Sequence, residues 1–573
     1  MELFSYHIFL FPFQWQFASK QMRDKTLEER TCLKELTGMF DHTKWSRKPY
    51  KTDKVLNYNE YNYFYNMVRE VMFDDGKDLD KTIIANLFYD IEPDACTYNF
   101  KVCVDDAKKL YKDYSLHIES IILHLYATGV GVLSFHLNNR LKEQSLPNDI
   151  LNINQAGRRL YPPYFGIDFG IVGTQAQYDC TDFSGGLDRV MTKELAKEFS
   201  LIDYEYEDFG TYRNAGHFSS NPFQMPRHIA FLFQGIPITV DKEDFNKPLK
   251  KVFISPLLDD RMYVVCWYGN HDLCTKLQGK KRDNPDGTPE LNYEADDWWY
   301  KYMFNDQTWP TCQNEKMKRD LIKEHTYSRW TGYGTFYGVN RYSFVCLTDT
   351  LANLKVPPAN AAFIVNHMQT MYYKMAELCL VQRACLLRFS DEVTSISAMK
   401  EDKKIALAER VGNLYKQYLR FVNRIYFREI TAQEQGIELY DMLQKHMKIE
   451  TNVKDLDHEI QELHTYVAMI QGQKQNRNIE LLTIIGALFF LPAFINGFFG
   501  MSIIPSVAGL KLTATDLILL LTPVILTSIS IILLLRLQQK RGWAIKWTPV
   551  IITAIAITIA LVFTIGKLVM NLF

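Results

Sequence analysis

The side chains whose types can support catalysis or metal binding do not form a recognisable site in this sequence. Cys266, His271 and Cys274, with Cys312 further along, are of the types that bind zinc, but their spacing is not that of a usual zinc site. The motifs GxxxxGK[ST], HExxH and GxSxG are absent. We therefore predict that the ten cysteines are free thiols in a reducing compartment and that the protein is not an enzyme.

A different kind of signal lies near the C-terminus, where twenty residues from Leu481 to Gly500 carry no charge. As a helix at 1.5 Å per residue, this run is roughly 30 Å long, which is about the thickness of the hydrocarbon core of a bilayer. Two more apolar runs follow, at 517–535 and 549–565. We predict membrane-spanning helices at about 481–500, 517–535 and 547–567.

The links between these segments predict their orientation. Four basic residues and no acidic one lie between residues 536 and 546, whereas the link from 501 to 516 has only Lys511 and Asp516. Because positive residues favour the cytoplasmic side, we expect the second link and the large N-terminal region to be cytoplasmic. For the last segment, the alternative is an interfacial or re-entrant helix.

The segments LLTII and FLPAFINGFFGM resemble the first pore helix of the CorA superfamily of ion transporters. Together with Ser502, the end of the second segment forms the motif Gly500-Met501-Ser502. That helix ends in Gly-Met-Asn in the family, and Ser502 replaces the Asn here. The resemblance implies a homopentamer in which copies of this helix line a pore and the cytoplasmic domains form a funnel. Several copies are also required on physical grounds, because one helix cannot enclose a water-filled path. CorA proteins typically have two spans, so a third departs from the pattern.

Aligned on Gly500 and Met501, the resemblance also implies which residues face the axis of the pore. They recur mostly every three or four residues, as one face of a helix requires. These positions are Asn476, Ile479, Leu482, Thr483, Gly486, Phe490, Ala493 and Gly497, with Gly500, Met501 and Ser502 at the pore mouth. A ring of Ile479, Leu482 or Phe490 is expected to close the path by excluding water. The alternative is that these are ordinary lipid-facing or helix-packing residues.

Ser502 changes the chemistry expected at the mouth. A ring of Asn carboxamides suits the outer hydration shell of Mg²⁺, whereas a Ser hydroxyl is shorter and also donates hydrogen bonds. The segment after Ser502 contains Lys511 and has no acidic residue before Asp516. We therefore expect a channel that is less selective for cations. The alternative is a constitutive Mg²⁺ or other divalent-cation transporter, with Asp455 and Asp457 as candidate metal ligands.

The residues before the first predicted span are expected to form a soluble body and a helical stalk. Of the 573 residues, 47% are hydrophobic and 23% are charged, too many charges for a protein that is mostly membrane. The net charge of −1 does not support a broad nucleic-acid-binding surface. We predict an α+β membrane protein with a mixed α/β cytoplasmic domain at 1–357, a helical stalk at 358–478 and a transmembrane domain at 479–573.

Short apolar runs predict strands, and longer runs without breakers predict helices. The predicted strands are His7–Phe13, Val130–Phe135, His228–Phe233, Lys251–Ile254, Met262–Trp267 and Arg341–Thr348. The predicted helices are Leu110–Tyr126, Thr192–Phe199, Asn360–Arg388, Lys400–Met447 and a helix from Val453 into the first span. This last helix has the a/d spacing of a coiled coil, which packs between subunits or against its own chain, at Leu456, Ile460, Leu463, Val467 and Ile470.

The opening HIFLFPFQW and the stretch from Ile430 to Met447 resemble the CorA-like membrane effectors that are associated with type III CRISPR systems. This resemblance implies an antiviral channel in the bacterial inner membrane, opened by a cytoplasmic nucleotide second messenger of the SAM-AMP type. Candidate residues for stacking on adenine or binding phosphate are Trp15, Trp298, Trp299 and Arg341. The alternative from another class is a membrane-anchored scaffold or enzyme without a pore.

Overall fold

The computed structural model describes most of the chain before residue 508, and the chain divides into two units. The first unit ends at Thr465 and the second begins at Tyr466. The described residues are 2–76, 78–80, 82–91, 96–105, 110–160, 189–191, 207–208, 225, 227–258, 261–283, 289–307, 309–356, 361–399 and 404–507.

The first unit is a mixed α/β domain with one large sheet. The strands are β1 (Ser5–Ala18), β2 (Trp45–Arg47), β3 (Ile84–Tyr89), β4 (Thr97–Asp105), β5 (Leu110–Tyr126), β6 (Val130–Asn139), β7 (Arg189–Met191), β8 (Glu207–Asp208), β9 (Ile238–Thr239), β10 (Lys251–Pro256), β11 (Tyr263–Gly269), β12 (Lys280–Asp283), β13 (Pro289–Leu291), β14 (Thr326–Tyr327), β15 (Phe336–Val339) and β16 (Ser343–Thr348). Within the described residues, the sheet runs in the order β14-β15-β16-β11-β1-β6-β5-β4-β7-β8. β10 joins β1 to β9, β3 joins β5 to β2, and β12 pairs separately with β13.

The helices surround this sheet and then continue the chain beyond it. They are α1 (Leu27–Arg30), α2 (Leu33–Thr37), α3 (Val55–Tyr63), α4 (Asn66–Met72), α5 (Pro147–Gly157), α6 (Arg227–Leu232), α7 (His271–Gln278), α8 (Asp297–Phe304), α9 (Glu315–His325), α10 (Leu351–Leu354), α11 (Phe363–Gln369), α12 (Met371–Ser397), α13 (Lys404–Arg424), α14 (Glu434–Met447) and α15 (Ile449–Val507). The expected sequence of an α/β body followed by long helices is therefore confirmed.

Strand β1 lies at the centre of the sheet. Almost all of its residues are buried, as in strands that are covered on both faces. The antiparallel strand β6 follows one edge of β1, while the other edge is shared by β11 along its first half and β10 along its second half. Pro12 lies between these two partners, and its carbonyl accepts a hydrogen bond from Leu257 N on that edge at 3.2 Å. Its missing N–H therefore falls where the ladder changes partner.

Five of the six predicted strands are confirmed, with ends that differ by a few residues: they correspond to β1, β6, β10, β11 and β16. The prediction of a strand at 228–233 is wrong, because this segment forms helix α6. Ile229, Leu232 and Phe233 are buried at spacings of three and one, which one face of a helix provides and an alternating strand does not. The predicted helix at 192–199 lies outside the described residues.

The prediction of a helix at 110–126 is also wrong, because this segment is the long strand β5. Its buried side chains alternate from Tyr114 to Ile118, and a second apolar series with the same spacing runs through Ile121, Leu123 and Leu125, where His124 is buried as well. A register shift between Ile118 and Ser120 separates the two series. Because of this bulge, the buried residues Ile118 and Ile121 are three positions apart, which is also a spacing expected on one face of a helix. His117 and His124, which would lie two turns apart on a helix, lie on this strand instead.

The single helix predicted from 400 to 447 is divided into α13 and α14 in the structure. The intervening backbone is buried in places, and side chains satisfy its carbonyl groups. Gln382 Nε2 donates to the carbonyl of Ile425 at 2.9 Å, and Tyr440 Oη donates to the carbonyl of Phe427 at 2.8 Å. These two hydrogen bonds hold a non-helical linker that contains neither Pro nor Gly, and so gives no breaker signal in the sequence.

Helix α12 is buried over most of its length because it packs across β1 and β6. Some of its polar side chains are paired with groups on the sheet. Glu377 forms a short contact with His124 Nδ1 of β5. Burial favours the neutral acid, but the neighbouring His124 holds the pKa of Glu377 below its ordinary value. The same face of the sheet carries His136, whose ring meets that of Tyr373 edge-on at 4.8 Å.

A second buried cluster joins α12 to α1 and α13. Arg30 Nη2 donates to both carboxylate oxygens of Glu392, at 2.7 and 2.6 Å. Arg410 Nε donates to Glu392 Oε1 at 3.2 Å, and Arg388 Nη1 lies 3.8 Å from Oε2. Although burial opposes ionisation, the three guanidinium groups lower the pKa of Glu392 to about 2. One ionised carboxylate therefore connects three elements that are far apart in the sequence.

Removal of the Glu392 carboxylate should strongly destabilise the first unit. We expect Glu392→Ala to lower the free energy of unfolding by about 3–5 kcal/mol, because three buried guanidinium groups lose their counter-charge. The matched control is Asp391→Ala, which removes an adjacent but exposed carboxylate and should cost less than about 0.5 kcal/mol. Urea denaturation of the detergent-purified full chain, followed by tryptophan fluorescence, measures both. Equal losses in the two variants would contradict this account.

Two buried histidines should make stability fall in mildly acidic solution. Burial lowers the pKa of His7 to about 4 and that of His136 to about 3, below the ordinary value of 6.5. As the pH falls below about 6.5 the unfolded chain binds protons that the folded chain does not, so the free energy of unfolding should decrease towards pH 5. The expected loss is on the order of 1–2 kcal/mol for each histidine.

The measurement is thermal unfolding of the full chain between pH 7.5 and pH 5. His136→Gln removes one of the two groups and should reduce the dependence on pH. His42→Gln, at an exposed position, should leave it unchanged. If the His136→Gln and unaltered proteins lose stability in parallel, this histidine is not responsible.

Candidate pore helix

The predicted pore-lining residues lie on the longest helix of the described chain, α15, which extends over 59 residues. At 1.5 Å per residue this helix is roughly 90 Å long. It follows α14 directly, and Lys448 between them adopts a left-handed conformation with φ 55°. A left-handed residue ends one helix and redirects the chain at once, so no loop separates α14 from α15.

The first turns of α15 pack against α13 of the same chain. Leu456 and Ile460 are buried, Tyr418 Oη of α13 donates to the carbonyl of Val453 at 3.1 Å, and the rings of Tyr415 and His464 lie 5.4 Å apart. The start of the predicted coiled-coil stripe is therefore occupied within the chain. Further along the stripe, Leu463 and Ile470 are half-buried and Val467 is buried.

Six of the predicted pore-lining residues are described with their side chains, and all are exposed: Asn476, Ile479, Leu482, Thr483, Gly486 and Phe490. The three large apolar side chains are exposed to 54% at Ile479, 68% at Leu482 and 69% at Phe490. Large exposed apolar side chains on one face of a helix are typical of a surface that meets another chain or a bilayer. Gly486 has open space where a Cβ atom would lie.

The remaining predicted positions, Ala493, Gly497, Gly500, Met501 and Ser502, belong to α15 by their backbone, while their side chains lie outside the described residues. We expected a link between spans to begin directly after the Gly-Met-Ser motif. The helix instead continues to Val507, so the motif lies within its last turns. Pro505 also lies near this end, and because it has no N–H it leaves the carbonyl of Met501 without its usual intrahelical donor.

The predicted spans at 517–535 and 547–567 lie outside the described residues, and so do most side chains between 485 and 500. Over the residues that the structure describes with their side chains, no helix is both long and apolar enough to cross a membrane.

The family model for "CorA-like Mg2+ transporter protein" matches residues 389–536. This part of the chain is a CorA-like domain. It begins within α12, contains α13, α14 and α15, and includes none of the described strands of the large sheet. The matched family is one of transporters rather than enzymes. No curated protein and no solved structure matches the chain.

The two acidic residues predicted as metal ligands lie near the start of α15, inside the CorA-like domain. Asp455 is exposed, whereas Asp457 is half-buried and accepts a hydrogen bond from Gln461 Nε2 at 2.7 Å. Burial and the Asp457 carboxylate together raise the pKa of Tyr418, so Asp457 is turned towards α13. Residues two apart on a helix point in different directions, and the described residues contain no group of three or more His, Cys, Asp or Glu side chains that can hold a metal ion.

The four predicted nucleotide-binding residues lie outside the CorA-like domain and have partners of their own. Trp15 and Trp299 are fully buried, and their indole N–H groups donate to the carbonyl of Val130 at 3.2 Å and to Thr326 Oγ1 at 2.9 Å. These contacts are typical of core residues.

The other two residues are placed similarly. Trp298 Nε1 donates to the carbonyl of Pro147 at 3.0 Å, and Arg341 Nε donates to the carbonyl of His446 at 3.4 Å. The structure therefore gives the four residues separate partners rather than a common site.

Sequence reasoning missed the buried cluster around Glu392, at the start of the CorA-like domain. Arg388 and Glu392 are spaced four apart on a helix that is otherwise apolar on most sides, which is a weak sequence signal. Arg30 and Arg410 give no signal, because only the fold brings them to the same carboxylate.

Proposed function

We propose that the protein is the subunit of a homopentameric CorA-like ion channel in the bacterial inner membrane, in which copies of α15 line the pore. The observation that carries this proposal is the match of the family model to 389–536, the segment that contains α15. The resemblance to the CorA pore helix puts Ile479, Leu482 and Phe490 on the side of α15 that faces the axis. All three side chains are exposed in the single chain. Neighbouring subunits around that axis would cover them and form narrow apolar rings.

In this proposal residues 1–357 form the cytoplasmic domain, 358–478 the stalk and 479–573 the transmembrane domain. The exposed apolar run on α15 and the basic link after residue 535 support this arrangement. The pore mouth at Ser502 and the absence of acidic residues before Asp516 favour a channel of low cation selectivity. The alternative is a constitutive Mg²⁺ transporter, which the description of the matched family favours.

A finer part of the proposal concerns what opens the channel. The resemblance of the opening strand and of the stretch 430–447 to type III CRISPR membrane effectors favours a nucleotide second messenger of the SAM-AMP type and an antiviral role. The large sheet domain, which lies outside the matched region, provides an additional body in which such a ligand can be bound. This part rests on the resemblance alone.

Ion flux from proteoliposomes tests the pore. If Leu482 forms an apolar constriction, Leu482→Asn should hydrate it and raise the basal flux by about tenfold. Leu481→Asn is the matched control, since the neighbouring residue is half-buried and points about 100° away around the helix. Its flux should equal that of the unaltered protein. A protein that passes no ion in any variant, with or without SAM-AMP, is not a channel.

The pore mouth is tested by Ser502→Asn, which restores the residue found in the family. We expect this variant to raise the preference for Mg²⁺ over monovalent ions about fivefold or more, because carboxamide oxygens accept hydrogen bonds from hydrated Mg²⁺. Reversal potentials in planar bilayers measure the preference. Ile504→Asn, two residues further along and on a different side of the helix, is the control and should not change it. An equal change in both variants would place the mouth elsewhere.

A further inference from the structure

A cavity of about 480 Å³ lies between the sheet and helices α12 and α13. Gln16 of β1 and Arg30 of α1 line one side of its base. Arg388 and Glu392 of α12 and Arg410 of α13 line the other. All five side chains are buried, so the base is strongly polar although it lies inside the fold.

The base carries more positive than negative charge. Three guanidinium groups surround the single carboxylate of Glu392. Arg410 Nη2 donates to Oε1 at 2.5 Å, and Arg30 Nη2 donates to the two oxygens at 2.6 and 2.7 Å. Asp391, the other acidic residue of the lining, is exposed at the mouth. A charge that is held away from water needs a counter-charge, and Glu392 neutralises only one of the three.

Two of these arginines retain donors for a further acceptor. Arg388 Nε is buried without a hydrogen-bond partner, and its Nη2 donates to Gln16 Oε1 at 2.9 Å. Among the described residues, Arg410 Nη1 donates to the weak thioether acceptor Met399 Sδ, at 3.5 Å. Burial lowers the pKa of Arg388 to about 10 even though Glu392 acts in the opposite direction. An anion beside these groups would supply both acceptors and charge.

The mouth of the cavity extends this surface. Arg23 and Lys242 are exposed there, and both attract anions towards the base. Phe245 and Phe253 line the same cavity, with ring centroids 5.5 Å apart. Phe245 is only half-buried, so a flat ring can pack against it.

We propose that this cavity binds a compact polyphosphate group, as in pyrophosphate or a nucleoside polyphosphate, with phosphate oxygens at Arg388 and Arg410. Guanidinium groups bind phosphate through parallel, charge-assisted hydrogen bonds. A polyphosphate carries several negative charges in a small volume, which the excess positive charge of base and mouth requires. The cavity is also within the usual size range of small-molecule sites.

Such a ligand would connect two parts of the chain that are far apart in sequence. Of the residues that line its base, Glu392 and Arg410 are inside the CorA-like domain, whereas Gln16 and Arg30 are outside it. Helix α13 also contacts the start of α15 through Tyr418. Binding would therefore strengthen the attachment of α12 and α13 to the sheet. The site does not depend on whether α15 lines a pore.

Isothermal titration of the full-length protein in detergent tests the site, with pyrophosphate, ATP and adenosine as probes. Pyrophosphate and ATP should bind, and their affinity should fall about tenfold or more at high salt, because ions screen partly exposed charges. Adenosine should not bind measurably. Absence of binding by both phosphate compounds, or adenosine binding as tight as that of ATP, would overturn the proposal.

Lys242→Glu reverses a charge at the mouth without disturbing the core, and we expect it to weaken pyrophosphate binding about tenfold. The matched control is Lys281→Glu, the same change at an exposed residue of β12 that does not line the cavity. Arg410→Lys keeps the positive charge, but an ammonium group cannot form the two parallel hydrogen bonds of a planar guanidinium group. This variant should therefore also bind pyrophosphate more weakly. Thermal scans without ligand verify that each variant is folded. Unchanged affinity in folded Lys242→Glu and Arg410→Lys proteins would refute the site, while flux measurements report on the pore independently.

Discussion

Strand β1 has to satisfy its backbone on two edges and its apolar side chains on two faces, and the first unit is arranged around that requirement. One edge is covered by β6 alone, while the other needs β11 and then β10. The change of partner occurs at Pro12, where the chain has no N–H to donate. Helix α12 covers the strand and its neighbour β6, which explains why so much of this helix is buried.

The attachment of the CorA-like domain to this sheet depends on charges as well as on apolar contacts. Glu392 lies where α1, α12 and α13 approach β1, and Arg30, Arg388 and Arg410 converge on it. A buried carboxylate of this kind fixes geometry more than it adds stability, because desolvation offsets most of the Coulombic gain. The same convergence leaves a surplus of positive charge beside a cavity, so the region where the domain joins the sheet also attracts anions.

Helix α15 combines two environments along its length. Near its start, Leu456 and Ile460 are covered by their own chain, and Tyr418 joins the helix to α13. Beyond residue 475 the large apolar side chains Ile479, Leu482 and Phe490 are exposed. Burial of apolar area of this kind is favourable. In the proposed assembly, a ring of subunits within a bilayer would cover it.

Local patterns were enough to predict the alternation of strands in the sheet, the long C-terminal helices and the family resemblance of α15, because each is encoded by residues close together in the sequence. The same patterns failed at β5, where a bulge at Ile118–Ser120 shifts the alternation, and at the linker between α13 and α14, where Gln382 and Tyr440 satisfy the backbone from outside. The cluster around Glu392 could not be predicted from local patterns either, because Arg30 and Arg410 are separated from each other by most of the chain. Residues close together in the chain specify the apolar segments, the Gly-Met-Ser motif and most central strands. Which charges meet, and where a cavity lies, depends on the folded chain as a whole, because long-range packing sets those distances.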